Sequence, residues 1–423
     1  MGVVRDVYER YGFEPLETPA FENIETLLGK YGDEGNQLIF KILKRGEHAQ
    51  TGEADLALRY DLTVPLARVV AQYQNEVPKF FKRYQIQPVW RADRPAKGRF
   101  REFYQCDVDA IGSTSPIVEA EILGAVSDVL ARLGFDDFVI RLNDRRALAA
   151  LLECAGVPER LHESALVALD KLDKIGVDGV QKELVARGID TEATMACVRF
   201  FSGLAVEDPR RNSPLDRLRD FVAGHHEGPT AVGALDEIVR LSDGTPAHGR
   251  IRIDPSLARG LSYYTGAIME IAVPDLAGSL GGGGRYDRLI GMFLGRDVPA
   301  CGFSLGLERI LVVMGERGMF PASVARGPAD VMVTVWNNEA RADAIELAAE
   351  LRLGGLRAEV YPETDRLGKQ FKYAASCQVP FVAIVGDDER AARQVAIKDI
   401  RSGEQTAVPR GDAAAFIANK LNG

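Results

Sequence analysis

Over residues 3–12 (VVRDVYERYG) apolar side chains recur at helical spacing, which predicts a short helix, and residues 13–19 read as a strand running into Pro19. Residues 61–74 (DLTVPLARVVAQYQ) predict a helix, with Asp61 or Thr63 near its start, where side-chain caps belong. Residues 80–91 and 100–111 predict a long hairpin whose link, ADRPAKGR, is rich in Pro, Gly and charge. In its second strand Tyr104, Cys106, Val108 and Ala110 alternate with Phe103, Gln105, Asp107 and Asp109. One face is apolar, and the other carries an amide and two carboxylates. An amphipathic helix is expected over 117–133.

From about 156 to 247 the texture changes. Helical stretches such as 163–174 and 178–187 are broken by Gly and Pro turns, and strand signals are few, which predicts an inserted helical domain over 156–247. Strand patterns return at 249–254 and 263–273, followed by the run Gly281 to Gly284 and a strand-to-helix passage over 299–315. These segments assign 1–155 and 248–320 to one core. Residues 320–329 (FPASVARGPA) read as a linker. Strand 330–336, helix 339–353, strand 356–361, helix 367–377 and strand 380–385 then alternate. A hairpin over 394–408 turns at Ser402-Gly403, and a last helix begins near Asp412. This predicts a separate α/β domain over 330–423.

A length of 423 residues agrees with two or three domains. No apolar run approaches the roughly 20 residues that span a bilayer, and no basic-then-apolar leader follows Met1, so a cytoplasmic location is expected. The five cysteines are scattered without a C-x-x-C pair, which signals neither a zinc cage nor a disulfide framework. The five histidines form no H-E-x-x-H, and the adjacent His225 and His226 fit a solvated loop better than a metal site. No protein-held metal is expected. A net charge of -9 excludes a protein that coats nucleic acid by bulk charge. Yet the segment from Lys79 to Arg101 holds eight basic residues and one acidic residue, Asp93, enough to steer a polyanion to one place.

The hairpin carries the first candidate chemistry. Gln105 and Asp109 share a face about 13–14 Å apart at ~3.4 Å per residue, which fits a solvated sheet face as well as two parts of one pocket. Arg91, near the hairpin link, favours the pocket, because a buried Arg beside acceptors suits a phosphate or carboxylate ligand. The link itself holds Arg94, Lys97, Arg99 and Arg101, either an ordinary charged turn or a polyanion contact. LARGLSYYTG at 257–266 sets Arg259 before a Gly and then Tyr263 beside Tyr264. SLGGGGRYDRL at 279–289 is neither a phosphate-binding G-K-[ST] loop nor a dinucleotide fingerprint. It reads as a flexible turn or as a close approach of backbone to ligand. In GFSLGLERI a strand passes through Gly306 into a helix whose first turn holds Arg309, where a cation is disfavoured unless an anion lies nearby. Three arginines, carboxylates and glycines, without a triad or nucleophilic pair, suit polyphosphate chemistry by positioning and charge neutralisation.

Together these segments resemble the histidyl-tRNA synthetases over nearly the whole chain. RYGFEPLETPAFE resembles class II motif 1, with Pro19 as its proline, YQIQPVWRADRPAKGRFREFYQCDVD resembles motif 2, and GFSLGLERILV resembles motif 3. LARGLSYYTG and GGGGRYD resemble the two signatures peculiar to the histidine enzymes, and the last domain resembles their anticodon-binding domain. The resemblance implies an α+β catalytic domain with an antiparallel sheet flanked by helices, a helical insertion and a C-terminal α/β anticodon-binding domain. It implies ATP with Mg2+, L-histidine and tRNA(His) as substrates and partners, and a homodimer formed through motif 1. It implies that Asp61 holds the histidine ammonium with Thr63 beside it, and that Gln105 helps hold the substrate carboxylate or ammonium. Asp109, Tyr263 and Tyr264 would read the imidazole. Arg91 and Arg259 would act at the α-phosphate of ATP, and Arg309 would hold the γ-phosphate. Arg94, Lys97, Arg99 and Arg101 would approach the acceptor end of the tRNA, the helical insertion its acceptor stem, and Lys369, Gln370 and Tyr373 its anticodon.

Some positions depart from the commoner pattern. Ser262 stands where the family usually has Asp, and Ala96 where many bacterial members have Gln. YDLTVP and FYQCDVD look more like the eukaryotic-type branch. The chain starts inside the motif 1 helix, so a truncated start is an expectation. Two competing readings are a non-catalytic synthetase-like paralogue, such as a histidine-biosynthesis regulatory subunit or an uncharged-tRNA sensor, and a synthetase for another amino acid. The presence of Arg91, Arg259, Arg309 and residues 330–423 weighs against the first. The acidic residue at 109 and the tyrosine pair weigh against the second.

Overall fold

The structure is a computed structural model that describes residues 1–46, 51–204, 213–258, 263–321 and 327–422. Its contacts divide the chain into two compact units, Met1–Arg317 and Gly318–Gly423. Among the described residues no helix is long and apolar enough to cross a membrane.

The first unit opens with α1 (Gly2–Arg10), β1 (Glu14–Pro15), β2 (Phe21–Asn23), α2 (Ile24–Leu27), α3 (Gly32–Gln37), β3 (Lys41–Leu43), β4 (Ala54–Leu58) and α4 (Thr63–Gln72). The predicted strand over 13–19 is reduced to two residues. Beyond Pro15 residues 16–19 have no regular secondary structure, and Arg59 donates to the carbonyls of Thr18 (2.7 Å), Pro19 (3.1 Å) and Pro88 (2.9 Å). Asp61 caps α4 through its Oδ1, which accepts the Val64 N–H at 3.0 Å. The hairpin forms as β5 (Phe81–Trp90) and β6 (Glu102–Ile111), followed by α5 (Ile117–Arg132) and β7 (Val139–Asp144).

Next come α6 (Arg145–Cys154), α7 (His162–Leu169), α8 (Leu172–Ala186), α9 (Thr191–Leu204), α10 (Pro214–Phe221) and α11 (Gly228–Ser242). Within α8 the helix breaks at Gly176, whose φ of 65° is open to glycine at little cost. His225 serves as a cap rather than a ligand. Its Nδ1 accepts the N–H groups of Glu227 and Gly228 at the start of α11, and its Nε2 lies 2.9 Å from Glu153.

The unit closes with β8 (Ile251–Ile253), β9 (Ala267–Ala272), β10 (Ser279–Arg285), α12 (Gly291–Leu294), β11 (Ala300–Gly306) and α13 (Leu307–Glu316). Eight strands form one sheet in the order β1-β5-β6-β11-β10-β9-β7-β8. The interior pairs are antiparallel, while the edge strands β1 and β8 run parallel to β5 and β7. The sheet is therefore mixed at its edges rather than wholly antiparallel. A smaller antiparallel sheet, β2-β4-β3, stands apart. Helix α5 packs on β6 and β11 with α1 and α11 beside it, burying Leu123, Val126 and Leu130.

The second unit consists of β12 (Val331–Val333), α14 (Arg341–Leu353), β13 (Ala358–Val360), α15 (Leu367–Ser376), β14 (Phe381–Ile384), α16 (Asp387–Ala392), β15 (Gln394–Asp399), β16 (Gln405–Pro409) and α17 (Ala413–Asn422). Its sheet order is β13-β12-β14-β15-β16, with parallel pairing around β12 and antiparallel pairing in the final hairpin. Val333, Leu347, Phe381, Val395 and Ile417 form one side of its core.

Candidate active site

Register brings the polar side chains of the hairpin together. Across β5 and β6 the pairs are Arg83 with Asp109, Gln85 with Asp107, and Gln87 with Gln105. On the other side of β6, β11 sets Gly302 opposite Asp109 and Ser304 opposite Asp107. A Cβ on Gly302 would collide with the Asp109 carboxylate, so the glycine makes room for it. The polar face of β6 is thus a pocket wall, and a solvated sheet face is excluded: Gln105, Asp107 and Asp109 are all buried and line one open cleft.

One end of the cleft is acidic and phenolic. Asp61 Oδ1 accepts the Tyr31 hydroxyl at 3.0 Å, and Oδ2 accepts the Tyr263 hydroxyl at 3.1 Å. Asp109 Oδ1 accepts the Tyr286 hydroxyl, and Oδ2 lies 2.9 Å from Arg83 Nη2. Tyr264 packs edge-on against Tyr263 at 5.1 Å, and Thr63 lines the same end. Gln105 Nε2 donates to Ser304 Oγ at 2.8 Å. Burial and the neighbouring carboxylates raise the pKa values of Tyr31, Tyr263, Tyr264 and Tyr286, so these phenols stay protonated donors at neutral pH. Burial also raises Asp61, Asp107 and Asp109. The Val64 N–H and Arg91 oppose it at Asp61, and Arg83 opposes it at the two strand carboxylates.

The other end is cationic. Arg91 Nε donates to the Tyr60 carbonyl at 3.1 Å, and its guanidinium lies over the rings of Tyr60 and Phe103 at 4.3 and 5.1 Å. Arg309 is held by the carbonyls of Gly98 (2.9 Å) and Ser279 (2.7 Å). Burial, and after it the nearby Arg99 and Arg91, lower its pKa, while Glu270 and Asp93 raise it. Glu308, beside it, accepts the Tyr104 N–H and so ties α13 to β6. The glycines do not form a turn. Gly281 to Gly284 lie inside β10, and Gly281, Gly282 and Gly283 line the cleft. This fits the close-approach alternative: Cβ atoms at 281 and 283 would run into the carbonyls of Ser304 and Gly302.

The remaining sequence candidates divide. Arg259 and Ser262 lie outside the described residues, though Leu257 and Tyr263 on either side of that segment line the cleft. Arg94, Lys97, Arg99 and Arg101 are exposed on the β5–β6 link; Arg99 also borders the cleft, and Lys97 pairs with Glu316 at 2.6 Å. Lys369 and Tyr373 are exposed on α15. Gln370 is not available at that surface. It is fully buried, its Oε1 accepts the Val335 N–H, and its Nε2 donates to the carbonyls of Val335 and Asp365. An amide spent on backbone groups at the end of β12 has no donor or acceptor to offer a nucleotide.

Sequence reasoning passed over Tyr31, Tyr286 and Arg83. Arg83 was findable, because a hairpin turning between 91 and 101 sets it opposite Asp109. Tyr31 carried no signal, since only tertiary packing brings it to Asp61.

Comparison with known proteins agrees with this geometry. Residues 1–310 match the family described as Histidyl-tRNA synthetase, and residues 330–420 match the Anticodon binding domain. A histidine–tRNA ligase of Porphyromonas gingivalis is 43% identical, covering 98% of this chain and 93% of its own length. One of Christiangramia forsetii is 41% identical, covering 95% and 91%. The crystal structure of histidyl-tRNA synthetase from Nostoc sp. superposes with a TM-score of 0.82 at 32% identity, covering 99% of this chain and 94% of that one. With both parts matched over almost their full length, and a cleft that joins an acidic-phenolic end to a cationic one, the chain belongs to the histidyl-tRNA synthetase family, the class II histidine–tRNA ligases.

Proposed function

We propose that the cleft binds histidine and ATP end to end and joins them. The observation that carries this is the polarity of one continuous cavity: buried Asp61 and Asp109 with their phenol donors at one end, Arg91 and Arg309 at the other. Asp61, with Thr63 beside it, holds the ammonium group, and Gln105 helps hold the carboxylate or ammonium. Asp109, Tyr263 and Tyr264 read the imidazole, whose ring N–H needs an acceptor. Such a site can reject analogues lacking the donor by ~10⁴–10⁵. Arg91 contacts the α-phosphate and Arg309 the γ-phosphate; Arg259 supplies the electrophilic contact at the α-phosphate. Magnesium would enter with the ATP, where it would neutralise phosphate charge. Glu270, a buried carboxylate lining the cleft within electrostatic reach of Arg309, would offer it the oxygen type that hard cations prefer.

A histidine carboxylate oxygen attacks the α-phosphorus, and the bond to the bridging oxygen breaks, giving histidyl-adenylate and pyrophosphate. A hydroxyl of the terminal tRNA ribose then attacks the carbonyl carbon, and AMP leaves. Preorganised cations stabilise the charge that develops in the first step. Arg94, Lys97, Arg99 and Arg101 approach the acceptor end of tRNA(His), the helices of 156–247 lie over its stem, and Lys369 and Tyr373 contact the anticodon. The protein acts as a cytoplasmic homodimer joined through the Pro19 region. ATP–pyrophosphate exchange measured with each of the twenty amino acids tests the assignment. Exchange that depends on histidine is expected, and exchange with proline or threonine but not histidine removes it.

A further inference from the structure

Arg83 does not line the cleft, yet its side chain touches the supports of both ends of the amino-acid site. Its guanidinium is wholly buried, with Nη2 2.9 Å from Asp109 Oδ2. Nη2 also donates to the Leu62 carbonyl at 3.3 Å, and Nη1 donates to Gln85 Oε1 at 3.1 Å. The cross-strand pairing of Arg83 with Asp109 fixes their approach through the backbone. Leu62 belongs to no strand. It sits in the turn between Asp61 and Thr63, ahead of α4. A single planar group therefore joins the strand that carries Asp109 to the turn that carries Asp61.

We propose that Arg83 is the positioning residue of the amino-acid site: with Nη1 anchored on Gln85, its Nη2 lies against both the Asp109 carboxylate and the Leu62 carbonyl, and so sets the separation between the carboxylate that reads the ring and the one that holds the ammonium. The inference rests on the roles of Asp109 and Asp61 given under the proposed function. It assigns Arg83 no contact with substrate. Its effect is on ligands that must reach both carboxylates at once, and a ligand that uses one end only is indifferent to it. A lysine does not replace Arg83, because its chain ends one atom short of the Nη2 position and has no second nitrogen to anchor on Gln85, so its ammonium stays near Asp109 without also holding the Leu62 carbonyl.

The test uses the full chain and two probes. Histidinol keeps the ring and the ammonium but has no carboxylate to activate, and imidazole offers the ring alone. Arg83→Met strands two buried carboxylates without a cation, which is strongly destabilising. Arg83→Lys, which keeps the charge, is the informative variant. Losing one charge-assisted hydrogen bond is expected to raise the KM for histidine and the inhibition constant of histidinol about tenfold. The KM for ATP and the inhibition constant of imidazole should stay within about twofold, a change too small to count as a lost hydrogen bond. A second variant, Arg83→Gln with Asp107→Asn, removes one charge of each sign and predicts the same split, so the outcome does not depend on one protein folding. Equal weakening of histidinol and imidazole, or no change in either, overturns the proposal. Wild-type protein without histidine-dependent exchange overturns instead the substrate assignment beneath it.

Discussion

Two carboxylates, Asp107 and Asp109, share one buried arginine on the hairpin, and a buried site that holds two negative charges against one positive charge is under electrostatic load. The Asp107 carboxyl is pushed up to about 7: burial raises it most, Arg83 pulls it down, Asp109 and Asp61 raise it, and a Ser304 hydrogen bond lowers it. Tyr8 and Tyr264, also within its field, remain neutral phenols whose own pKa values it raises. Because the folded value lies above the unfolded one, the stability this group contributes is present at low pH and lost as pH rises from about 4 through about 7. Asp107→Asn has no proton to lose. The melting temperature of the variant relative to wild type should therefore climb by several degrees between about pH 5 and pH 8. Curves that stay parallel across this range would mean that Asp107 titrates as an ordinary carboxylate.

Among the elements, β10 shows how backbone packing can replace side-chain pattern. Gly281 and Gly283 sit where a Cβ would meet the carbonyls of β11, whereas a Cβ at Gly282 finds its nearest atom, the Met269 carbonyl, at 3.4 Å. Gly283→Ala should cost about 1–3 kcal/mol or more by overpacking, read as a melting temperature several degrees lower, and Gly282→Ala should leave the fold near wild type. Equal melting temperatures for the two variants would remove close packing as the reason for the glycine run. The same element explains what was legible in the sequence. Four glycines carry no alternation, so SLGGGG fits a turn as readily as a strand, while Phe103 to Ala110 declare β6 through strict alternation. Helices α5, α13 and α14 are long enough for their apolar faces to show. Strands β2 and β3, at three residues each, are too short to repeat any pattern and are held by pairing with β4. The resemblance implies an anticodon contact for Gln370, but a family motif cannot show which backbone groups a polar side chain must satisfy, and here the amide is taken up by Val335 and Asp365.

At the scale of the molecule, the chemistry and the anticodon-type fold occupy separate compact units. The described cleft residues all fall within Met1–Arg317, from Asp61 to Arg309. The second unit has apolar clusters on both faces of its sheet, one around Val333, Leu347 and Phe381, the other around Met332, Val382 and Ala396. A unit with its own core can be removed without opening the core of its neighbour. A chain ending at Arg317 should therefore keep its circular dichroism spectrum and its histidine-dependent pyrophosphate exchange, because the first step needs only the cleft. Charging of tRNA should fall much further. A base stacked on an aromatic side chain contributes ~1–3 kcal/mol, so losing two contacts of that size lowers kcat/KM for tRNA about a hundredfold or more. The two assays on one truncated protein separate the steps. Folded protein that has lost exchange as well would show that the first unit depends on the second for its active conformation, and full charging activity would remove residues 318–423 from tRNA recognition.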